Sequence, residues 1–184
     1  MAKQDGIEFP DLPNISKCAK NITAYIIHSS WHLNIIEKML SGALENLKKY
    51  NVNNIEVIPV SGTFEIPQMI SHIIRTHSGE GASAENGHVK YLLTIALGIV
   101  IQGETYHDRV ISYSVANALQ AIAINHPFVP IGFGILTVYN RQQAIERAFG
   151  KSNKGVEAAL AALTQLDRII SFTIRTDSQG QGRS

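Results

Sequence analysis

The run Tyr91–Ile101, YLLTIALGIVI, constrains this chain more than any other stretch. Its Leu, Ile, Val and Ala residues fill consecutive positions rather than alternate ones, the pattern of a strand covered on both faces. It is about half the ~20 residues a helix needs to span a bilayer. The run reads as the central strand of a parallel sheet with helices above and below. Directly after it comes Gln102-Gly103-Glu104-Thr105-Tyr106-His107-Asp108, a polar segment carrying a glycine, a hydroxyl, an imidazole and carboxylates. In open parallel sheets, chemistry sits at that end of the strands.

The flanking sequence supplies the matching units. Ile22–His28 has the length and residue types of a first strand. Ser29-Ser30 offers a cap ahead of Leu33, Ile36, Leu40, Ala43, Leu44 and Leu47, which recur at helical spacing. Ile55–Val60 reads as a second strand. Ser61-Gly62-Thr63 makes a turn, and Glu65 and Pro67 fall in the first turn of a helix fading near His77. Residues 78–90, rich in Gly, Ser and charge, read as a long loop. Beyond the central strand, Val110, Ile111, Val115, Ala118, Leu119 and Ile122 mark a third helix, and Val129–Val138 a further strand. Asn140 with Gln143 resembles a capping box for a fourth helix. Val156, Ala159, Leu160, Leu163, Leu166 and Ile170 define a last one.

This alternation predicts an α/β fold, a flavodoxin-like doubly wound sheet of four to five parallel strands flanked by helices, with any fifth strand coming from residues 15–21. The expected organisation is a flexible arm at 1–14, one α/β domain at 15–172 and a disordered tail at 173–184. With 184 residues, one domain uses the whole chain. A net charge of +1 provides no basic field for nucleic acid or an anionic membrane. The single cysteine, Cys18, excludes an internal disulfide and a cysteine-based zinc site. The opening MAKQDGIEFPDLPN lacks an apolar signal core, which predicts a cytoplasmic protein.

Four strand ends then converge on one rim. They bring Ser30-Trp31-His32, Ser61 to Glu65, Gln102 to His107, and Thr137 to Asn140. Rings, carboxylates, an imidazole and free N–H groups at helix starts suit a flat polar heterocycle, a hydroxylated chain and an anion. Plainer readings stand beside each. Trp31 can staple a helix to the core, Glu65 can serve a helix dipole, Gly103-Glu104-Thr105 can be an ordinary cap, and Arg147 and Lys154 can be surface charges. Gly150-Lys151-Ser152 ends like a phosphate-binding P-loop, but Ile145 stands where the first glycine is required.

Five blocks, taken in order, resemble the lumazine synthase (6,7-dimethyl-8-ribityllumazine synthase) family. They are Trp31 with Leu40–Ala43, Val60–Pro67, Gly98–His107, Phe133–Thr137 with Gln143–Ala148, and Asn153–Ala159. The resemblance implies a transferase of riboflavin biosynthesis that joins 5-amino-6-(ribitylamino)uracil to 3,4-dihydroxy-2-butanone 4-phosphate without cofactor or metal. It implies that His107 moves protons, and that Trp31, Thr63, Phe64, Glu65, Val100, Ile101, Phe133 and Lys154 hold the pyrimidine and ribityl chain. Gly103, Glu104, Thr105 and Arg147 would hold the phosphate. It further implies homopentamers with sites between adjacent subunits, allows a shell of twelve pentamers, and makes riboflavin synthase a partner to look for.

Three residues depart from the family pattern. His32 stands where Asn is usual, Ser61 where Pro is usual, and Arg109 where an acidic residue normally supports His107. Asp108 is the nearest replacement, although adjacent helical residues point in different directions. The departures give some support to a second reading, a catalytically weak flavin- or lumazine-binding or shell-forming homologue.

Overall fold

The computed structural model describes residues 10–77, 82–85 and 88–180. The apolar run is the centre of a five-stranded sheet. Strand β1 (Ile22–Ser29) lies between β2 (Asn54–Val60) and β4 (His88–Ile101), and β4 pairs in turn with β5 (Ile131–Val138). All three pairings are parallel, giving a four-strand parallel sheet. The registers Ile26↔Val57, Ile26↔Ile95 and Leu97↔Gly134 set the strands side by side.

Side chains alternate across β1 and β4, so each strand feeds two cores. On one face Ala24, Ile26, Leu93, Ile95 and Leu97 pack with Ile36, Met39, Ala43 and Leu47 of α2 (Leu33–Lys49). Ala144 and Ala148 of α5 (Arg141–Ala148) and Ala159, Leu163 and Leu166 of α6 (Lys154–Gly180) join that core. On the other face Tyr25, Ile27, Leu92, Ala96 and Val100 meet Ile66, Ile70, Ile73 and Ile74 of α3 (Ile66–Thr76). Val115 and Leu119 of α4 (His107–Asn125) complete this second core. Each buried Leu or Ile is worth ~1.5–3 kcal/mol, so the two cores supply the main cohesion of the fold. Helix α4 buries little for its length. Val110, Tyr113 and Ile124 are exposed, which its apolar spacing alone did not foretell.

Three expectations change. The fifth strand is not 15–21, which forms α1 (Pro13–Cys18) and a tight turn; it is β3 (Ala82–Glu85), antiparallel to the start of β4. The stretch read as a loop at 78–90 therefore contains a hairpin, and the central strand begins at His88. Backbone pairing needs no apolar side chains, so polar composition concealed it. Second, the end of the expected arm is docked. Asp167 accepts hydrogen bonds from the Asn14 and Ile15 N–H groups at 2.8 and 3.1 Å, capping α1 from a distant helix. Third, α6 runs to Gly180, past the expected boundary at 172. Residues 1–9 and 181–184, parts of the expected arm and tail, lie outside the described residues. No described helix is long and apolar enough to cross a membrane.

The start of α6 is fixed by a close helix crossing. Asn153 Oδ1 accepts from the N–H groups of Gly155 at 2.8 Å and Val156 at 3.3 Å, while its amide donates to the Lys38 carbonyl on α2 at 2.9 Å. A β-carbon on Gly155 would overlap the Met39 carbonyl oxygen and lie 2.9 Å from the Met39 Cα. One on Gly42 would meet the Asn153 amide at 2.7 Å. Only glycines allow the two helices this approach.

Candidate active site

The turns leaving β1, β2 and β4 close around a cavity of about 720 Å³. Each turn is held by a specific bond. Ser30 donates both its N–H, at 2.9 Å, and its hydroxyl, at 2.8 Å, to the Val60 carbonyl, tying the β1 exit to the end of β2. The Gln102 N–H donates to the Val138 carbonyl at 2.9 Å, tying the β4 exit to β5. The rim is thus a continuation of the sheet.

Trp31 projects from the first turn with 68% of its surface exposed, so it does not staple α2 to the core. Its indole stands over Gly62, where a β-carbon would lie 3.7 Å from the ring. His32 follows in the left-handed conformation, at φ 57°, unusual outside glycine but tolerated by His. Its carbonyl accepts from the Ile35 and Ile36 N–H groups at 2.8 and 3.1 Å, and it lines the cavity.

In the second turn Thr63 is buried, donating from Oγ1 to the Ile99 carbonyl at 3.4 Å. It reaches that depth because residue 98 is glycine. A β-carbon there would lie 2.7 Å from Thr63 Cγ2. Phe64 is exposed toward the cavity. Glu65 folds back so that Oε2 accepts from the Gly62 N–H at 2.8 Å, closing its own turn. The plain structural reading of Glu65 is thus met in part, since one carboxylate oxygen serves the backbone.

The third turn carries Gly103, Thr105 and His107 to the same cavity, with Ile99, Val100 and Ile101 at its base. Thr105 Oγ1 accepts from the His107 N–H at 3.4 Å and the Tyr106 carbonyl from the Val110 N–H at 3.1 Å, so the first-turn N–H groups of Asp108 and Arg109 are the ones a helix start leaves without helical partners. Gly103 is open, with only the Thr105 nitrogen 4.0 Å from where a β-carbon would stand. Arg109 turns onto Tyr106. Its guanidinium carbon lies 4.7 Å from the ring centroid, and Nη1 donates to Tyr106 Oη at 3.3 Å.

One chain therefore gathers Trp31, Thr63, Phe64, Glu65, Val100, Ile101, Gly103, Thr105 and His107 into one cavity. It does not bring Glu104, Phe133, Arg147 or Lys154 to that lining. Phe133 faces a second recess of about 450 Å³ with Arg109, Tyr113 and Tyr139, and only Asp108 borders both spaces. Arg147 is in the last turn of α5. Lys154 is held by Glu157 at 2.9 Å. Sequence reasoning missed Ile99, Val110 and Ile111 as lining residues. The spacing of Val110 and Ile111 from His107, three and four residues along a helix, was the available signal. Among the described residues, no group of three or more His, Cys, Asp or Glu is arranged to hold a metal ion.

This geometry is joined by sequence similarity. A family model described as 6,7-dimethyl-8-ribityllumazine synthase matches residues 21–169. A protein of that name from Buchnera aphidicola subsp. Baizongia pistaciae is 41% identical over 158 residues, covering 84% of this chain and 90% of the relative. One from Thermococcus kodakarensis is 36% identical over 129 residues, covering 70% and 74%. The matched span runs from just ahead of β1 into α6 and includes every residue of the cavity, and the chain belongs to the 6,7-dimethyl-8-ribityllumazine synthase family.

Proposed function

We propose that the chain condenses 5-amino-6-(ribitylamino)uracil with 3,4-dihydroxy-2-butanone 4-phosphate, releasing phosphate and water, to form 6,7-dimethyl-8-ribityllumazine. The observation that carries this reading is the meeting of an exposed indole, a glycine-opened helix start and an imidazole in one cavity of a chain from this family. Trp31 offers a flat face for the pyrimidine. Backbone groups at Thr63 and Phe64, with the Glu65 oxygen not bound to Gly62, serve the ring and ribityl chain above Val100 and Ile101. Gly103, Thr105 and the first turn of α4 suit a phosphate, because unpaired N–H groups favour an anion without bulk basicity. Glu104 belongs to this turn through its backbone.

Schiff-base formation, phosphate loss and ring closure each need a proton moved near neutral pH, the work of an imidazole. His107 fills that role. Bringing the two substrates together supplies much of the remaining acceleration.

The working unit is a homopentamer with sites between adjacent subunits, in the cytoplasm. Phe133, Arg147 and Lys154 belong to the neighbour's cavity, Arg147 pairing with the phosphate and Lys154 reaching the ribityl end. Two observations support this arrangement. These residues lie off the cavity of their own chain, and α4 leaves Val110 exposed at the cavity and Tyr113 and Ile124 exposed further along the helix. Twelve pentamers can close into a shell, and riboflavin synthase is the enzyme that would draw on the product.

Lumazine formation, followed by absorbance and fluorescence against a no-protein control, tests the reading. Turnover well above the control, falling ~100-fold to 10,000-fold in His107→Ala, is expected. A folded protein that matches the control rate would refute it.

A further inference from the structure

Off the cavity, where α3 ends, side chains from three elements form one chain of polar contacts. Tyr25 of β1, almost wholly buried, donates its hydroxyl to Glu56 Oε1 of β2 at 3.2 Å. The same hydroxyl oxygen lies 2.9 Å from Nε2 of His77, which follows the last turn of α3. His77 Nδ1 lies 2.9 Å from the Ile73 carbonyl oxygen and 3.4 Å from Thr76 Oγ1, whose own proton goes to that carbonyl at 2.9 Å. The Tyr25 and His77 rings meet edge to face with centroids 5.2 Å apart, which holds the imidazole in this orientation. Counting protons decides what the chain of contacts requires. A carbonyl only accepts, so Nδ1 carries a proton. A tyrosine hydroxyl has one proton and a carboxylate only accepts, so Tyr25 gives that proton to Glu56 and Nε2 must donate to the hydroxyl oxygen. All the contacts are made together only with one proton more than a neutral imidazole and a carboxylate hold. Of the two groups the imidazole is the stronger base, and a cation there suits the negative end of α3.

We propose that Glu56, Tyr25 and His77 form a proton-dependent clamp, closed while His77 is an imidazolium, that ties the end of α3 to the edge strand β2 through β1. When the ring gives up its second proton, the Tyr25 hydroxyl can serve Glu56 or His77 but not both, and one link opens. Burial first, then the charge and hydrogen bond of Glu56, hold the Tyr25 phenol above its ordinary value, so the hydroxyl keeps the proton that this count assigns to it. Helix α3 begins directly after Thr63–Glu65, so the clamp anchors the far end of the helix whose start shapes the cavity. The other ionisable groups on the elements packed here are His72 and Arg75 on α3, Lys90 on the same face of β4 as Leu92, and His126 at the end of α4. The folded chain holds the shared proton more tightly than the unfolded one. The clamp therefore contributes fully at pH below the ordinary imidazole range, and its contribution is lost as pH rises through the folded His77 titration.

The test is the long-range proton–nitrogen NMR spectrum of the imidazoles in the full chain, followed with pH, with His77 identified by its absence from His77→Gln. Two protonated ring nitrogens mark the imidazolium. Glu56→Gln should move the loss of that pattern to lower pH by about 0.2–0.7 of a unit, the worth of one exposed ion pair. Tyr25→Phe should move it in the same direction, although Glu56 and His77 both remain, because the hydroxyl is what joins them. Glu56 is exposed, so Glu56→Gln keeps the fold and carries the reading by itself. An unchanged His77 titration in Glu56→Gln overturns the proposal, and a shift in Glu56→Gln that is absent from a folded Tyr25→Phe overturns the bridge. Urea unfolding gives a second reading. Across the imidazole range, the unfolding constant of the native chain should rise about 1.6-fold to 5-fold more than that of His77→Gln. Equal pH dependence in the two chains overturns the clamp.

Discussion

Mixing two crippled variants is a sharp test of where the site is completed. His107 lines the cavity of its own chain, whereas Arg147 and Lys154 do not. If Arg147 serves the neighbour's cavity, His107→Ala damages one half of every site and Arg147→Ala the other half. Losing a charge-assisted bond of ~1.5–3 kcal/mol lowers kcat/KM by about 10-fold to 150-fold for Arg147→Ala. Losing the acid–base group lowers the rate ~100-fold or more. Either variant alone is then nearly silent at low ketone concentration. When the two are unfolded together in equal amounts and refolded, half the His107 sides and half the Arg147 sides are native, and neighbours pair at random. About one quarter of the interfaces in a closed ring then carry both intact halves. Activity should return to about one quarter of native, and should follow the product of the two mole fractions as the ratio is varied. Activity staying at the level of the separate variants, in mixtures shown by mass spectrometry to contain both chains, would refute the shared site.

Two further outcomes test the scaffold. Gly155→Ala gains up to ~1 kcal/mol of helix propensity, but its methyl overlaps the Met39 backbone, and overpacking of this kind costs ~1–3 kcal/mol or more. The thermal midpoint, read by circular dichroism, should fall by several degrees, while Gly103→Ala, with open space around it, should leave it within about a degree; equal midpoints would deny the close crossing. Burial holds the Tyr25 phenol above its ordinary value of 10.0, and Glu56 adds to the effect through its charge and a hydrogen bond. The folded state thus keeps this proton longer than the unfolded chain does, so the contribution is complete below pH 10 and is lost as pH rises through the folded value. Stability measured by urea unfolding should fall above that pH and fall less steeply in Tyr25→Phe. Equal slopes would contradict the sign.

Most of the sheet was legible because two-sided burial leaves a compositional trace. β4 announced itself by its unbroken apolar run, and its partners by length and flanking turn residues. The β3–β4 hairpin left no such trace, since its strand is Ala-Ser-Ala-Glu and its pairing with β4 is made by the backbone. Helix α1 depends on Asp167, 153 residues from Asn14 in the chain, a contact no local pattern encodes. The site divides the same way. Trp31, Glu65 and His107 were visible as chemistry-bearing residues at strand exits, and the fold brings them together. Phe133, Arg147 and Lys154 entered only through family resemblance, because none of them lines the cavity of its own chain. Arg109 looked like lost support for the imidazole, and only coordinates reveal that it stacks on Tyr106.

The triplet Asn153-Lys154-Gly155 shows how the letters of a signature divide between architecture and chemistry. Position 153 must accept two N–H groups and donate to a carbonyl on another helix, all from one short planar amide. Aspartate keeps the acceptors and loses the donor, serine cannot span both helices, and glutamine is a methylene too long. Position 155 tolerates no carbon beyond its backbone. Two of the three letters are thus spelled by the crossing of α2 and α6, and a motif search that weighs them as ligand contacts reads grammar as meaning. Lys154 alone, standing between them and braced by Glu157, is the letter that the crossing does not dictate.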